Sequence, residues 1–192
     1  SASHAPIVRL GWRSFDRQWT FDDPRLAKTD SPSLWQSWST RQVYMVSPRS
    51  SRISGGPAVY ASAYVPDLNS YFGSGGGKDV IPLYRDAEAT QPNVTGGLLP
   101  LLGERYRQEV TPEDLAAYVM GVAGHDAYVQ RFDEALEGSP VRVPLTADPD
   151  LFTRAVKLGE RLLWLQTYGE RFTGADRPAR RVPRVPGLGW EE

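Results

Sequence analysis

The chain has 192 residues and is 40% hydrophobic, with 6 Trp, 9 Tyr and 6 Phe, so it holds enough apolar material for a buried core and is not wholly disordered. Cys is absent and the two His are His4 and His125, which excludes disulfide scaffolds, thiolate chemistry and multi-His zinc centres. The net charge of −1 hides a gradient: residues 1–60 carry eight basic and four acidic side chains, and residues 61–192 carry 14 and 19.

Ser1–Pro6 reads as a linker or expression remnant, outside the fold. Ile7–Trp12 and Gln18–Phe21 are aromatic and β-branched runs that predict strands, and Asp22-Asp23-Pro24 stops the second. Ser31–Trp35 fits one helical turn, with Ser31 as cap and Pro32 at the first position. Gln42–Val46, Ala58–Tyr64 and Val80–Tyr84 are the remaining strand candidates. Ser47–Pro57, rich in Ser, Gly, Pro and Arg, is expected to be an exposed loop.

The period changes in the second half. Thr111-Pro112-Glu113-Asp114 is a strong helix start, with a capping hydroxyl, a first-turn proline and two acids where the helix dipole favours them. Leu115, Tyr118, Val119 and Val122 follow at helical spacing, and Tyr128, Phe132 and Leu136 mark a second helix. Asp148-Pro149 opens a third, with Leu151, Phe152, Ala155, Leu158, Leu162 and Leu165 as its apolar set. Strands first and helices after predict an α+β fold, a β-rich N-terminal half followed by a helical C-terminal half. The predicted domain covers residues 7–173, β-rich over 7–84 and helical over 111–168. Residues 174–192 form a Pro/Arg-rich tail expected to be partly disordered. No apolar run is long enough to span a bilayer and no charged-then-apolar leader opens the sequence, so a cytoplasmic protein without membrane contacts is expected.

Catalytic motifs are weak. Gly73-Ser74-Gly75-Gly76-Gly77-Lys78-Asp79 is one residue short of a phosphate-binding loop and has Asp79 where the magnesium-binding hydroxyl belongs, so it reads as a connecting loop. His125 lies between two helical segments without a nucleophile in a defined motif, which favours a helix-terminus role over a small-ligand enzyme built on it. Asp133 and Glu134, next to Arg131 on a helix, look like a solvated face. The most unusual stretch is Trp12–Trp19, with three aromatics, Arg13, Arg17 and Asp16 in eight residues. Either Trp12, Phe15 and Trp19 pack in the core while Asp16 pairs with an Arg, or Arg13 or Arg17 projects toward a phosphate or base edge; the two readings are compatible.

Arg13-Ser14-Phe15-Asp16-Arg17-Gln18-Trp19, followed by Asp23-Pro24-Arg25, resembles the opening of the C-terminal specificity domain of type ISP restriction–modification enzymes and related adenine-specific DNA methyltransferases. The resemblance continues through Ala61–Asn69, Ile81–Tyr84, Thr111–Val119 and Arg142–Phe152, and ends at Leu163–Phe172. Gln166 stands where similar sequences have His, and similar sequences run on past the end of this chain.

The resemblance implies a DNA target-recognition domain that is itself non-catalytic and needs no cofactor. S-adenosylmethionine and the Asn-Pro-Pro-Tyr motif would belong to an upstream methyltransferase domain of the parent, which extrudes the target adenine. Expected partners are double-stranded DNA and that methyltransferase domain. The candidate DNA-binding residues are Arg13, Arg17, Arg25, Arg41, Arg49, Arg52, Asn69 and Lys78. Arg forks suit guanine edges and phosphates, and Asn suits adenine. The competing reading is a protein–protein docking module of a larger multidomain enzyme, in which the Arg excess is incidental.

Overall fold

A computed structural model describes residues 6–13, 15–21, 23, 32–48, 57–67, 78–136 and 141–182, with the backbone alone described at residues 13, 32, 48, 78 and 133. Strands β1 (Ile7–Arg13) and β2 (Asp16–Phe21) form an antiparallel hairpin, with Ile7 opposite Phe21 and Arg9 opposite Trp19. Its register shifts between Gly11 and Arg13, and Phe15 takes a left-handed conformation (φ 57°) in the turn. After the single helical turn α1 (Pro32–Gln36) come β3 (Tyr44–Pro48), β4 (Tyr60–Ser62) and β5 (Lys78–Pro82). They form a second antiparallel sheet in the order β4-β3-β5. Tyr44 and Val46 of the central strand are wholly buried. The hairpin meets the segment that follows β4 through an isolated parallel bridge: Gly11 N–H donates to Val65 O at 2.9 Å, and Asp67 N–H donates to Gly11 O at 2.7 Å.

The helical half contains α2 (Leu98–Tyr106), α3 (Pro112–Ala123), α4 (Asp126–Leu136) and α5 (Pro149–Gln166). The α+β class expected from the sequence is borne out. α3 begins at the expected capping box: Asp114 N–H donates to Thr111 Oγ1 at 3.1 Å, and Thr111 N–H donates to Asp114 Oδ2 at 2.9 Å. α5 begins at Asp148, whose Oδ1 accepts from Asp150 N–H at 2.8 Å and Leu151 N–H at 3.1 Å.

The α3–α5 pair is the centre of this half. Its axes approach through Gly121 and Gly159, where an added Cβ would lie 2.2 Å from Ala155 O and 1.6 Å from Ala117 O. Beside this crossing Phe152 stacks between Tyr106 and Tyr118, with ring centroids 4.5 and 4.9 Å away. The segment joining α4 to α5 is held by three tyrosines with a two-residue period. Tyr128, Tyr118 and Tyr106 donate their hydroxyls to the carbonyls of Arg142 (2.7 Å), Pro144 (2.7 Å) and Thr146 (2.6 Å).

Two expectations need correction. The core face of α5 is Phe152, Ala155, Val156, Gly159, Leu163 and Trp164, whereas Leu151 and Leu158 of the expected apolar set are exposed. Small residues occupy the interface because the helices are too close for leucine there. The strand expected over Ala58–Tyr64 is limited to Tyr60–Ser62. Helix α2 lies in a stretch for which the sequence predicts no element.

Residues 174–182 run along α5. Trp164 Nε1 donates to Pro178 O at 3.1 Å, and Arg177 meets Glu160 at 3.1 Å. Residues 183–192 lie outside the described set. Among the described residues no helix is long and apolar enough to cross a membrane.

Candidate nucleic-acid interface

The two halves meet at the C-terminal end of α5. Gln166 accepts the Ala61 N–H of β4 at 2.5 Å, which satisfies a buried donor on that short strand. The next residues hold the hairpin. Glu170 receives Arg17 Nη1 on one oxygen at 2.5 Å and the Tyr64 hydroxyl on the other at 2.6 Å. The Arg17 guanidinium also lies over the Tyr168 ring, 4.2 Å from its centroid, and the Tyr168 hydroxyl donates to Phe15 O in the turn. Burial raises the pKa of the Tyr64 hydroxyl, and the neighbouring Glu170 raises it further.

Arg171 ties down the adjoining loops. Its guanidinium donates to the carbonyls of Gln42 (2.9 Å), Ser39 (3.2 Å), Ala63 (3.4 Å) and Glu170 (3.0 Å). Desolvation lowers its pKa, an effect opposed by the negative charge of Glu170. Gln42, fully buried, uses both ends of its amide: Nε2 donates to Ser37 O (2.7 Å) and Tyr84 O (2.8 Å), and Oε1 accepts from Val43 and Tyr84 N–H, both at 3.1 Å. A third cluster joins β to α: Tyr84 donates to Glu113 at 2.5 Å, and Arg41 reaches both partners at 3.3 Å.

The sequence candidates are distributed as follows. Arg17 is largely covered and paired with Glu170. Arg41 is paired with Glu113 but keeps its side chain 61% exposed. Arg13 lies in β1 and Lys78 opens β5, each described by backbone alone. Arg25, Arg49, Arg52 and Asn69 lie outside the described residues. Pro48 of β3 is the Cα partner of Lys78 of β5.

The hairpin aromatics are not core residues. Phe15 is 59% exposed and Trp19 is 62% exposed, and Arg9 stacks on Trp19 at 4.2 Å. Ile7 and Phe21, opposite one another, are exposed as well. His125 has the helix-terminus role expected of it: its Nδ1 accepts the Ala127 N–H at 3.0 Å at the start of α4. Sequence reasoning assigned no role to Glu170, Arg171 or Gln42. Their partners lie up to 153 residues away, and no local pattern marks such a pairing.

Together these contacts define an α+β domain whose Arg-rich β half is clamped onto a helical support. The chain belongs to the Type ISP C-terminal specificity domain family, whose model matches residues 1–188. Solved structures share the fold. The chain in a DrdV–DNA complex is 24% identical (TM-score 0.66), the match covering 85% of this chain and 16% of that one. A nuclease-deletion mutant of the Type ISP restriction-modification enzyme LlaGI, in complex with a DNA substrate mimic, is 18% identical (TM-score 0.61), covering 87% and 14%. The ATP-dependent Type ISP restriction-modification enzyme LlaBIII, bound to DNA, is 16% identical (TM-score 0.62), covering 87% and 11%. This chain therefore spans less than a fifth of the length of each of these proteins. No curated protein sequence matches it.

Proposed function

We propose that this domain selects the DNA sequence on which a larger restriction–modification enzyme acts. The observation that carries the reading is membership of a specificity-domain family whose structural neighbours were solved bound to DNA or to a DNA mimic. The sheet geometry supports it. Pro48, the residue before Arg49 in the sequence, is the Cα partner of Lys78 at the end of the sheet. The hairpin is a two-stranded ribbon of a size that the DNA major groove admits, about 12 Å wide.

Base reading and phosphate contact are assigned to Arg13, Arg25, Arg49, Arg52, Asn69 and Lys78. Arg17 and Arg41 act by position: each already holds a carboxylate, and a phosphate contact would compete with that pair. In the parent polypeptide this domain sets which base is presented to an adenine-N6 methyltransferase domain using S-adenosylmethionine. The test is fluorescence anisotropy of labelled duplex DNA with the chain and its Arg49→Gln/Arg52→Gln variant. Loss of one good base contact weakens binding to the cognate duplex by about 1–3 kcal/mol while binding to other sequences changes less. Equal affinity of both proteins for every duplex would remove these residues from the interface.

A further inference from the structure

We infer that the solvent face of α5 is a second DNA contact, a stripe that holds phosphates and reads no bases. The inference rests on the DNA reading above but concerns the helical half, which the charge balance marks as acidic. Arg154, Lys157 and Arg161 all lie on the exposed side of α5, opposite the face packed on α3. Among the described residues none of the three side chains has a hydrogen bond or ion pair. Glu160, the carboxylate beside Arg161, is held by Arg177 at 3.1 Å.

Local stability does not explain this arrangement. Lys157 and Arg161 are four residues apart, where like charges destabilise a helix by about 0.2–0.5 kcal/mol. The dipole favours cations in the last turn, yet α5 has no basic residue there and carries its cations mid-helix. Asp150, four residues before Arg154, is the one carboxylate on this face, so three cations against one acid leave a net positive stripe complementary to a polyanion. From Arg154 to Arg161 the stripe spans seven residue steps, about 10 Å along the axis, and one DNA strand offers a phosphate charge every ~3.4 Å. About three phosphates therefore lie within its span.

The stripe runs along the helix whose C-terminal end leads to the residues that hold the ribbon. Tyr168, two residues past the end of α5, carries the hairpin turn through Arg17 and Phe15. Arg180 adds an exposed cation there, its N–H donating to Gly169 O at 2.9 Å. Cations on α5 and the hairpin thus belong to one continuous support.

The test is the salt dependence of binding of a short mixed-sequence DNA duplex by the chain and by its Arg154→Gln/Lys157→Gln/Arg161→Gln variant. Arg131→Gln on α4 is the off-stripe control. The stripe accounts for a fall of about 2–3 units in the slope of log K against log salt, because each phosphate contact contributes ~0.9. Near 0.1 M salt affinity drops roughly 100-fold, with preference among duplex sequences retained and the control unchanged. If the unaltered chain binds with steep salt dependence and the triple variant matches its slope, the stripe is wrong and the DNA reading stands. If the unaltered chain binds no DNA at low salt, both are wrong. Should the triple variant fail to fold, Arg154→Gln and Arg161→Gln alone each lower the slope by ~0.9, and no change in either overturns the proposal.

Discussion

Gly159→Ala is the sharpest test of how the helical half is built. The new methyl carbon would sit 1.6 Å from Ala117 O, 2.5 Å from Ala117 C and 2.9 Å from Ala117 Cα. All three are main-chain atoms and none can rotate aside. Comfortable separation of such atoms is about 3.5 Å, so α3 and α5 must part by roughly 2 Å. That movement loosens Phe152 between Tyr106 and Tyr118, whose rings stack at 4.5 and 4.9 Å. In an isolated helix the same change gains up to ~1 kcal/mol. Overpacking costs about 1–3 kcal/mol, and more where backbone must shift. The net expectation is a loss of at least ~2 kcal/mol, or a fall in Tm of about 4–8 °C for a domain of this size. Urea and thermal unfolding followed by circular dichroism measure it. Gly96→Ala, where an added Cβ meets nothing within 4 Å, is the control. An unchanged or raised Tm for Gly159→Ala would refute the close crossing.

Three further outcomes follow from individual contacts. Tyr118→Phe leaves Thr146 N–H without its 3.0 Å acceptor and Pro144 O without its 2.7 Å donor. It should cost about 1–3 kcal/mol in urea unfolding. Glu170→Gln removes the charge shared by Arg17 and Tyr64, so hydrogen exchange in β1 and β2 should accelerate while α3 and α5 keep their protection. Uniform acceleration would place Glu170 in the global core instead. Finally, burial pushes Tyr44 and Tyr84 each up to about 12, with the hydrogen bond to Glu113 adding to the effect at Tyr84. Above pH 10 the unfolded chain releases these protons while the folded chain retains them, so stability is full below pH 10 and declines toward pH 12. Tyrosinate absorbance and urea midpoints measured across that window check the sign; a rise in stability would contradict it.

Signals confined to a few residues were readable in the sequence. The Thr111–Asp114 cap and the Asp148 cap carry their own hydrogen-bond logic, so α3 and α5 begin where the sequence places them. The rotational phase of α5 was not readable, because Leu151 and Leu158 are apolar by type and exposed in fact. What decides the phase is the small-residue crossing at Gly121 and Gly159, a property of two helices together. The hairpin was legible as two strands, but not the exposure of Phe15 and Trp19, since a two-stranded ribbon buries neither face by itself. Charge counts marked the Arg-rich front half without showing that Arg17 answers Glu170 and Arg41 answers Glu113. They also averaged away the stripe on α5, where three cations share one face of an otherwise acidic half.

The central claim is sequence selection, and enrichment from a pool of random DNA duplexes measures it most directly. A polypeptide carrying this domain should enrich one short sequence, and the Arg49→Gln/Arg52→Gln variant should relax the preference at particular positions of that sequence. Recovery of duplexes with no shared sequence, identical with and without the substitutions, would contradict the account.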